Sequence, residues 1–439
     1  MKQFFLFAVV TFFLKPFGGF GQNPSDTTLS NATLSICIQY ALTHQPYIQQ
    51  SLINEKITDA TIRTKLADWF PQLNLDASYQ HNIQLPTNFF GGNFVSNGTH
   101  NVSAVNFAAT QNIFNRDVLL AFRSSGNVKK AARQITDSTR IGIIAIVSKT
   151  FYDVLLTQKQ VAVLDEDIVR LNRSLQDAFN QYKGGIVDKT DYKRATISLN
   201  NAKAERRQQQ DLLIAKYFYL KQLMGYPDSS YLLLQYDSTQ LEGEIFLDTL
   251  QQINYDNRIE YKLLQTEKNL QEYNLKYYKW GFLPSVWAYG NYNLNYFNND
   301  FGKLYERSFP NSNVGLQLTF PIFQGGKRIF QVRTAALQVN RLNWEIISLK
   351  NIITTEYAQA LALYKGNLAN YDALKENVQL ADEVYKVIRL QYQQGIKTYL
   401  DVIIAESDLR TSQLNFYTAL YQLLQSKIDV QKALGTLTW

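Results

Sequence analysis

Between Gln72 and Ile83 apolar and polar residues alternate almost without a break. Leu73, Leu75, Ala77, Tyr79, His81 and Ile83 fall on one side; Gln72, Asn74, Asp76, Ser78, Gln80 and Asn82 fall on the other. A period of two predicts a strand with one apolar and one polar face. The pattern returns when Val286, Ala288, Gly290, Tyr292, Leu294 and Tyr296 alternate with Ser285, Trp287, Tyr289, Asn291, Asn293 and Asn295. Val105, Phe107, Ala109 and Ile113 continue it in one place, and Val314, Leu316, Leu318, Phe320 and Ile322 in another. Strands are therefore predicted over about 70–84, 102–115, 283–297 and 312–324. Elsewhere the apolar positions step by three and four. Val339, Leu342, Ile346, Leu349 and Ile353 form one run, and Tyr371, Leu374, Val378, Ala381, Tyr385, Ile388 and Tyr392 another. Val161, Leu164, Ile168, Leu171, Leu175, Ala178 and Tyr182 do the same earlier. This spacing predicts helices packed knobs-into-holes. Lys327 to Tyr392 has no proline and one glycine, Gly366. At 1.5 Å per residue such a helix reaches about 100 Å. Shorter helices over about 257–279 and 398–434 can stack end to end beside it. No globular core extends that far, so the helices belong to a tube or a bundle.

The chain contains itself twice. Pro284 in Gly281–Ser285 stands 213 residues after Pro71 in Asp68–Gln72, and Ile322 stands 209 after Ile113. Gly395 stands 210 after Gly185, and Gly435 stands 210 after Gly225. The order is kept, which marks a tandem duplication. The first repeat runs over 22–228 with a tip turn at 183–188; 229–247 links to a second repeat at 248–439 with a tip turn at 393–398. Each repeat reads helix, two strands, very long helix, tight turn, helix.

Composition adds a compartment. Lys2, an apolar run from Phe4 to Leu14 and small residues up to Gly21 read as a secretory signal over 1–21. No later run approaches about 18 consecutive apolar residues, so any membrane span must be made of strands. The 28 Tyr and 26 Phe suit strands at a bilayer and its interfaces. The segments 84–100 and 297–311, rich in Asn with Gly, Thr or charge, would lie outside the cell. Cys37 stands alone, which excludes an intrachain disulfide and suits a buried thiol on a helix. The net charge of +7, or +5 without Lys2 and Lys15, is mild, and Lys129-Lys130 and Arg206-Arg207 read as solvated helix faces rather than a nucleic-acid surface.

Four strands cannot close a barrel, and open edges are not tolerated in lipid. The chain must oligomerise if its strands enter a membrane, giving 8, 12 or 16 strands for two, three or four copies. About eight strands leave an interior filled by side chains, so an open pore needs more. A trimer is favoured, and a tetramer satisfies the same rule.

Four ordered segments resemble the TolC-like outer-membrane efflux protein family: Thr33–Pro46, Phe70-Pro71-Gln72-Leu73, Phe320–Lys327 and Tyr392–Val402. The resemblance implies an α+β membrane protein of a Gram-negative outer membrane. It also implies a homotrimer whose 12-stranded β-barrel, four strands per chain, would continue into a periplasmic α-helical coiled-coil barrel. Leu73, Leu75, Tyr79, Val105, Phe107, Tyr292, Leu316, Leu318 and Phe320 would face lipid. Gly184, Gly185, Ile186, Val187, Gly395, Ile396 and Thr398 would form tips that dock a periplasmic adaptor (membrane fusion) protein of an inner-membrane transporter. Asp191 and Asp401 match acidic positions at the family's aperture, whereas a second acidic position of the later tip is Ile404 here. Lys397 and Asp191, with Asp401 and Tyr392, are expected to hold the tip closed through opposite charge on neighbouring tips.

No chemistry competes with this. The three histidines, His44, His81 and His100, are scattered; H-E-x-x-H and G-x-S-x-G are absent. Gly325-Gly326-Lys327 lacks the rest of a phosphate loop, and Asp165 with Glu166 reads as a solvated pair. Neither an enzyme nor a cofactor is expected. A passive exit duct for efflux or type I secretion is the reading; a surface adhesive coiled coil is the alternative, and it has no use for lipid-like hairpins between helices.

Overall fold

The computed structural model describes residues 29–235 and 238–437, so the expected signal over 1–21 lies outside the described residues. The order is β1 (Leu29–Ala32), α1 (Leu34–His44), α2 (Pro46–Ala67), β2 (Gln72–His81), β3 (Thr87–Phe90), β4 (Asn93–Ser96) and β5 (Asn101–Phe114). Then come α3 (Arg116–Lys183), α4 (Lys189–Met224), β6 (Leu232–Leu234), α5 (Ser238–Glu244), α6 (Ile259–Lys279), β7 (Ser285–Asn298), β8 (Phe309–Thr319), α7 (Lys327–Gln393) and α8 (Tyr399–Leu434). The unit of helix, strand pair, long helix, turn and helix occurs twice.

Local chemistry sets the breaks. Pro46 has no N–H to give and fits only the first turn of α2, so the opening helix divides at Gln45. Asn115 caps α3 by accepting from the Asp117 amide at 2.7 Å. Gly225 and Gly435 end α4 and α8 with φ of +68° and +70°. Each lies against the other side of its own repeat: a Cβ on Gly225 would stand 2.7 Å from the His44 carbonyl oxygen, and one on Gly435 2.7 Å from the Asn257 carbonyl carbon.

The long helices dominate. α3 packs on α2, α4, α6 and α8, while α7 packs on α6 and α8. The core lies at mid-length, where Val147, Phe151, Tyr152, Val154 and Leu155 of α3 meet Tyr364 and Tyr371 of α7 and Leu420, Tyr421, Leu423 and Leu424 of α8. By length and composition one stretch of α3 is apolar enough to cross a membrane. That apolar surface is spent on this core. Cys37 is buried there too, which pushes its thiol up to about 12. Between the repeats β6 pairs in parallel with β1, and Leu241 and Ile245 join the core.

The strands form one antiparallel sheet in the order β2–β5–β7–β8. β8 stops at Thr319 rather than 324, because Pro321 offers no N–H to extend a ladder. Phe320 is therefore corrected from a barrel-strand residue to an exposed residue beyond the sheet. β2 likewise stops at His81, and the loop after it carries the separate β3–β4 hairpin. Gly91 and Gly92, at φ +61° and +87°, supply the two positive-φ residues of a two-residue turn.

Candidate functional site

The sheet has two chemically distinct faces. Leu73 pairs across to Ala109, Gly290 and Val314; Leu75 to Phe107 and Tyr292; Ala77 to Val105 and Leu294. Leu316 and Leu318 pair with Ala288 and Val286 on the same side. The register thus gathers eight of the nine anticipated lipid-facing residues, all but Phe320, on one face. Leu73, Leu75, Leu316 and Leu318 are largely uncovered. The reverse face carries asparagine rows: Asn291 donates to Asn313 at 2.9 Å and Asn293 to Asn311 at 2.7 Å. Within the chain β2 and β8 are both edges.

The two tips lie at the far ends of the long helices. In the first, the Gly185 and Ile186 amides donate to the Tyr182 and Gln181 carbonyls at 3.0 Å. In the second, the Gly395 and Ile396 amides donate to Tyr392 and Gln391 at 2.9 Å. Gly185 and Gly395 sit at φ +72° and +74°, where only glycine is unstrained. Gly184 is right-handed and ends α3. Ile186 and Ile396 project into solvent, Val187 is half-buried, and Lys397 and Thr398 are exposed.

The tips differ in how the next helix starts. Thr398 and Asp401 form a reciprocal cap: the Thr398 amide and hydroxyl donate to Asp401 Oδ2 at 2.9 and 2.7 Å, and the Asp401 amide donates to Thr398 Oγ1 at 3.4 Å. These bonds, with Lys397 nearby, hold the Asp401 carboxyl below the usual carboxylate range. In the first repeat Asp188 makes no side-chain cap bond, and Asp191 sits in the first turn. No ion pair joins Lys397 to Asp191 among the described residues. Within the chain Asp401 is instead engaged by Thr398 of its own helix turn.

What joins the tips is a tyrosine. The Tyr392 hydroxyl of α7 donates to Gln181 Oε1 of α3 at 2.7 Å. Burial first, then the charges of Asp191 and Asp177, push this hydroxyl up, so it stays a proton donor. The Tyr399 ring packs tilted against it, 5.7 Å between centroids, and is buried against Ala178 and Ala195 of the other repeat. Gln181 and Tyr399 went unassigned in the sequence. Gln181 recurs as Gln391 in the duplication and Tyr399 lies three residues before Val402, and neither signal separates a latch from ordinary packing.

Above this layer lies a buried charge cluster that sequence reasoning also missed. Arg170 Nη2 and Arg410 Nη1 each reach Asp167 at 3.2 Å, and Arg170 Nε stands 3.8 Å from Glu406. Asp165 and Glu166, by contrast, are exposed as anticipated. Among the described residues no group of three or more His, Cys, Asp or Glu side chains is placed to hold a metal ion.

The geometry has known counterparts. The family model described as outer membrane efflux protein matches residues 37–226 and 263–436. The outer membrane protein TolC of Vibrio cholerae is 21% identical over 379 residues, 84% of this chain and 82% of that one. The crystal structure of the outer membrane protein VceC from Vibrio cholerae superposes with a TM-score of 0.72 at 16% identity, covering 92% of this chain and 96% of that one. The open state of the Neisseria gonorrhoeae MtrE outer membrane channel superposes at 0.71 with 18% identity, covering 92% and 91%. By its two matched segments and its fold, the chain belongs to the outer membrane efflux protein family.

Proposed function

We propose that three copies of this chain form a passive exit duct through the outer membrane, serving a tripartite efflux or type I secretion system. One observation carries the reading: a four-stranded sheet, apolar on one face and asparagine-lined on the other, with both edges unpaired. Lipid tolerates no open edge, so β2 of one copy must meet β8 of the next. Three copies give twelve strands, enough for a polar lumen. The helices, about 100 Å long, carry that lumen into the periplasm. The energy for export comes from an inner-membrane transporter, reached through an adaptor that docks on Ile186, Val187, Ile396 and the turns around them. Tyr392 and Gln181 act as a latch between neighbouring hairpins, and Asp191 lines the aperture and favours cations.

Purified oligomer in a planar bilayer, with no partner and no nucleotide, should conduct in discrete steps. Tyr392→Phe removes the bond to Gln181 and should raise the open fraction several-fold. A detergent-extracted, heat-modifiable oligomer that never conducts would overturn the duct, and an unchanged Tyr392→Phe would overturn the latch.

A further inference from the structure

Glu406 of α8 is 2% exposed, and neither carboxylate oxygen has a hydrogen-bond partner. Asp167, fully buried on α3, takes the better contacts of both Arg170 and Arg410. Glu406 is left with Arg170 at 3.8 Å, and that Nε is itself without a hydrogen bond. Two carboxylates thus share two arginines, unequally, across the seam where α8 of the second repeat lies on α3 of the first. The other charged or titratable groups facing Glu406 are Arg389 and Tyr385 of α7 and Tyr399 of α8. The counterparts in the duplication, 210 residues away, are Asn377 for Asp167, Leu380 for Arg170, Thr196 for Glu406 and Asn200 for Arg410. All four are uncharged, so duplication alone did not create the cluster.

We propose that Glu406 is a proton-binding site that sets how firmly α8 closes on α3, so that the duct opens more readily as the periplasm turns alkaline. The proposal rests on the latch reading above, since parting the two hairpins is what hydrates Glu406. Burial first, then the Asp167 charge, push its carboxyl from the ordinary 4.5 up to about 7, against the pull of Arg170, Arg389 and Arg410. The closed seam therefore binds a proton that the parted seam releases. Closure is fully supported below the ordinary carboxylate value, weakens as pH rises from 4.5 towards 7, and changes no further above that. One proton per copy shifts each seam at most tenfold per pH unit, or roughly 100-fold across the window, so a duct of three copies shifts by at least that much.

Single channels of the reconstituted oligomer, recorded from pH 4.5 to 8, test this. The wild-type open-to-closed ratio should climb at least roughly 100-fold, the change for one of the three seams, and level off near pH 7. Glu406→Gln, which keeps the neutral form, should hold the acid-side ratio at every pH. A Glu406→Gln profile that tracks wild type, or a wild-type ratio that falls with pH, overturns the proposal. If Glu406→Gln does not assemble, Asp167→Asn decides: removing the repulsion and freeing both arginines should move the midpoint to lower pH, and an unmoved midpoint overturns it. Tyr392→Phe at pH 6 separates the two readings. If it opens the channel while the wild-type profile is flat, the proton site alone fails; if neither responds, the latch reading fails with it.

Discussion

α3 and α7 are counterparts in the duplication and nearly equal in length, yet α3 buries 18 side chains and α7 only eight. Their partners invert the difference: α4 buries five and α8 fifteen, over 36 residues each. The cause is that α8 lies on α3 within the chain, while no α4 of this chain covers α7. Side chains record the same asymmetry. α7 presents Leu380, Val384, Val387 and Leu390, each about half exposed, where α3 has Arg170, Ser174, Asp177 and Asn180. α4 leaves Ile214 and Phe218 half exposed, where their counterparts on α8, Leu424 and Ile428, are buried. One packing rule would explain both: in the proposed oligomer, α4 of a neighbouring copy would cover α7 as α8 covers α3 inside the chain.

The largest effect should come from breaking that rule. Val384→Glu with Val387→Glu puts two charges on the open α7 stripe and should abolish the heat-modifiable oligomer on gels. Ser174→Glu, at a position of α3 that is already polar, should leave assembly intact. Next come the glycines where the repeats stayed alike. Gly435→Ala adds a Cβ 2.7 Å from the Asn257 carbonyl carbon on top of its positive φ, whereas Gly395→Ala meets open space. Thermal unfolding should show a loss of about 1–2 kcal/mol for Gly395→Ala from the left-handed backbone alone, and a clearly larger loss for Gly435→Ala. The smallest effect should separate the two tips. Thr398→Ala removes a reciprocal cap and should cost the start of α8 about 1 kcal/mol, read by hydrogen exchange at the first turn. Asp188→Ala should change α4 less, because Asp188 makes no cap bond. The α8 cap should also weaken on acidification, as pH falls through the depressed value of Asp401, and stay intact above the ordinary carboxylate value.

The strands were legible because a period of two assigns faces outright: Leu73, Phe107, Tyr292 and Leu316 each fall on the apolar side of their own strand before any register is known. The tip turns were legible from Gly185 and Gly395, which the backbone requires at positive φ. Partner choice was not. Lys397 and Asp191 have opposite charge on neighbouring tips, but charge alone does not say that Asp401 will fold back on Thr398. Asp167 with Arg170 and Glu406 with Arg410 stand three and four residues apart, a spacing that any exposed helix pair shares. Their burial depends on which helix of the other repeat lies over them, and local pattern does not carry that. The inequality of α3 and α7 was written in Leu380, Val384 and Val387, but it becomes readable only once the 210-residue register sets them beside Arg170, Ser174 and Asp177.

Thiol crosslinking of the sheet edges tests most directly whether the two open edges close on other copies. One cysteine on β2 at Asn74 and one on β8 at Gln317, joined by a bifunctional reagent in intact membranes, would report which edges meet. The native Cys37 does not interfere, since it is buried with its thiol pushed up to about 12. We expect a denaturing gel to show one, two and three joined copies and nothing larger. Monomers only, or a ladder that ends at another number, would contradict the threefold duct.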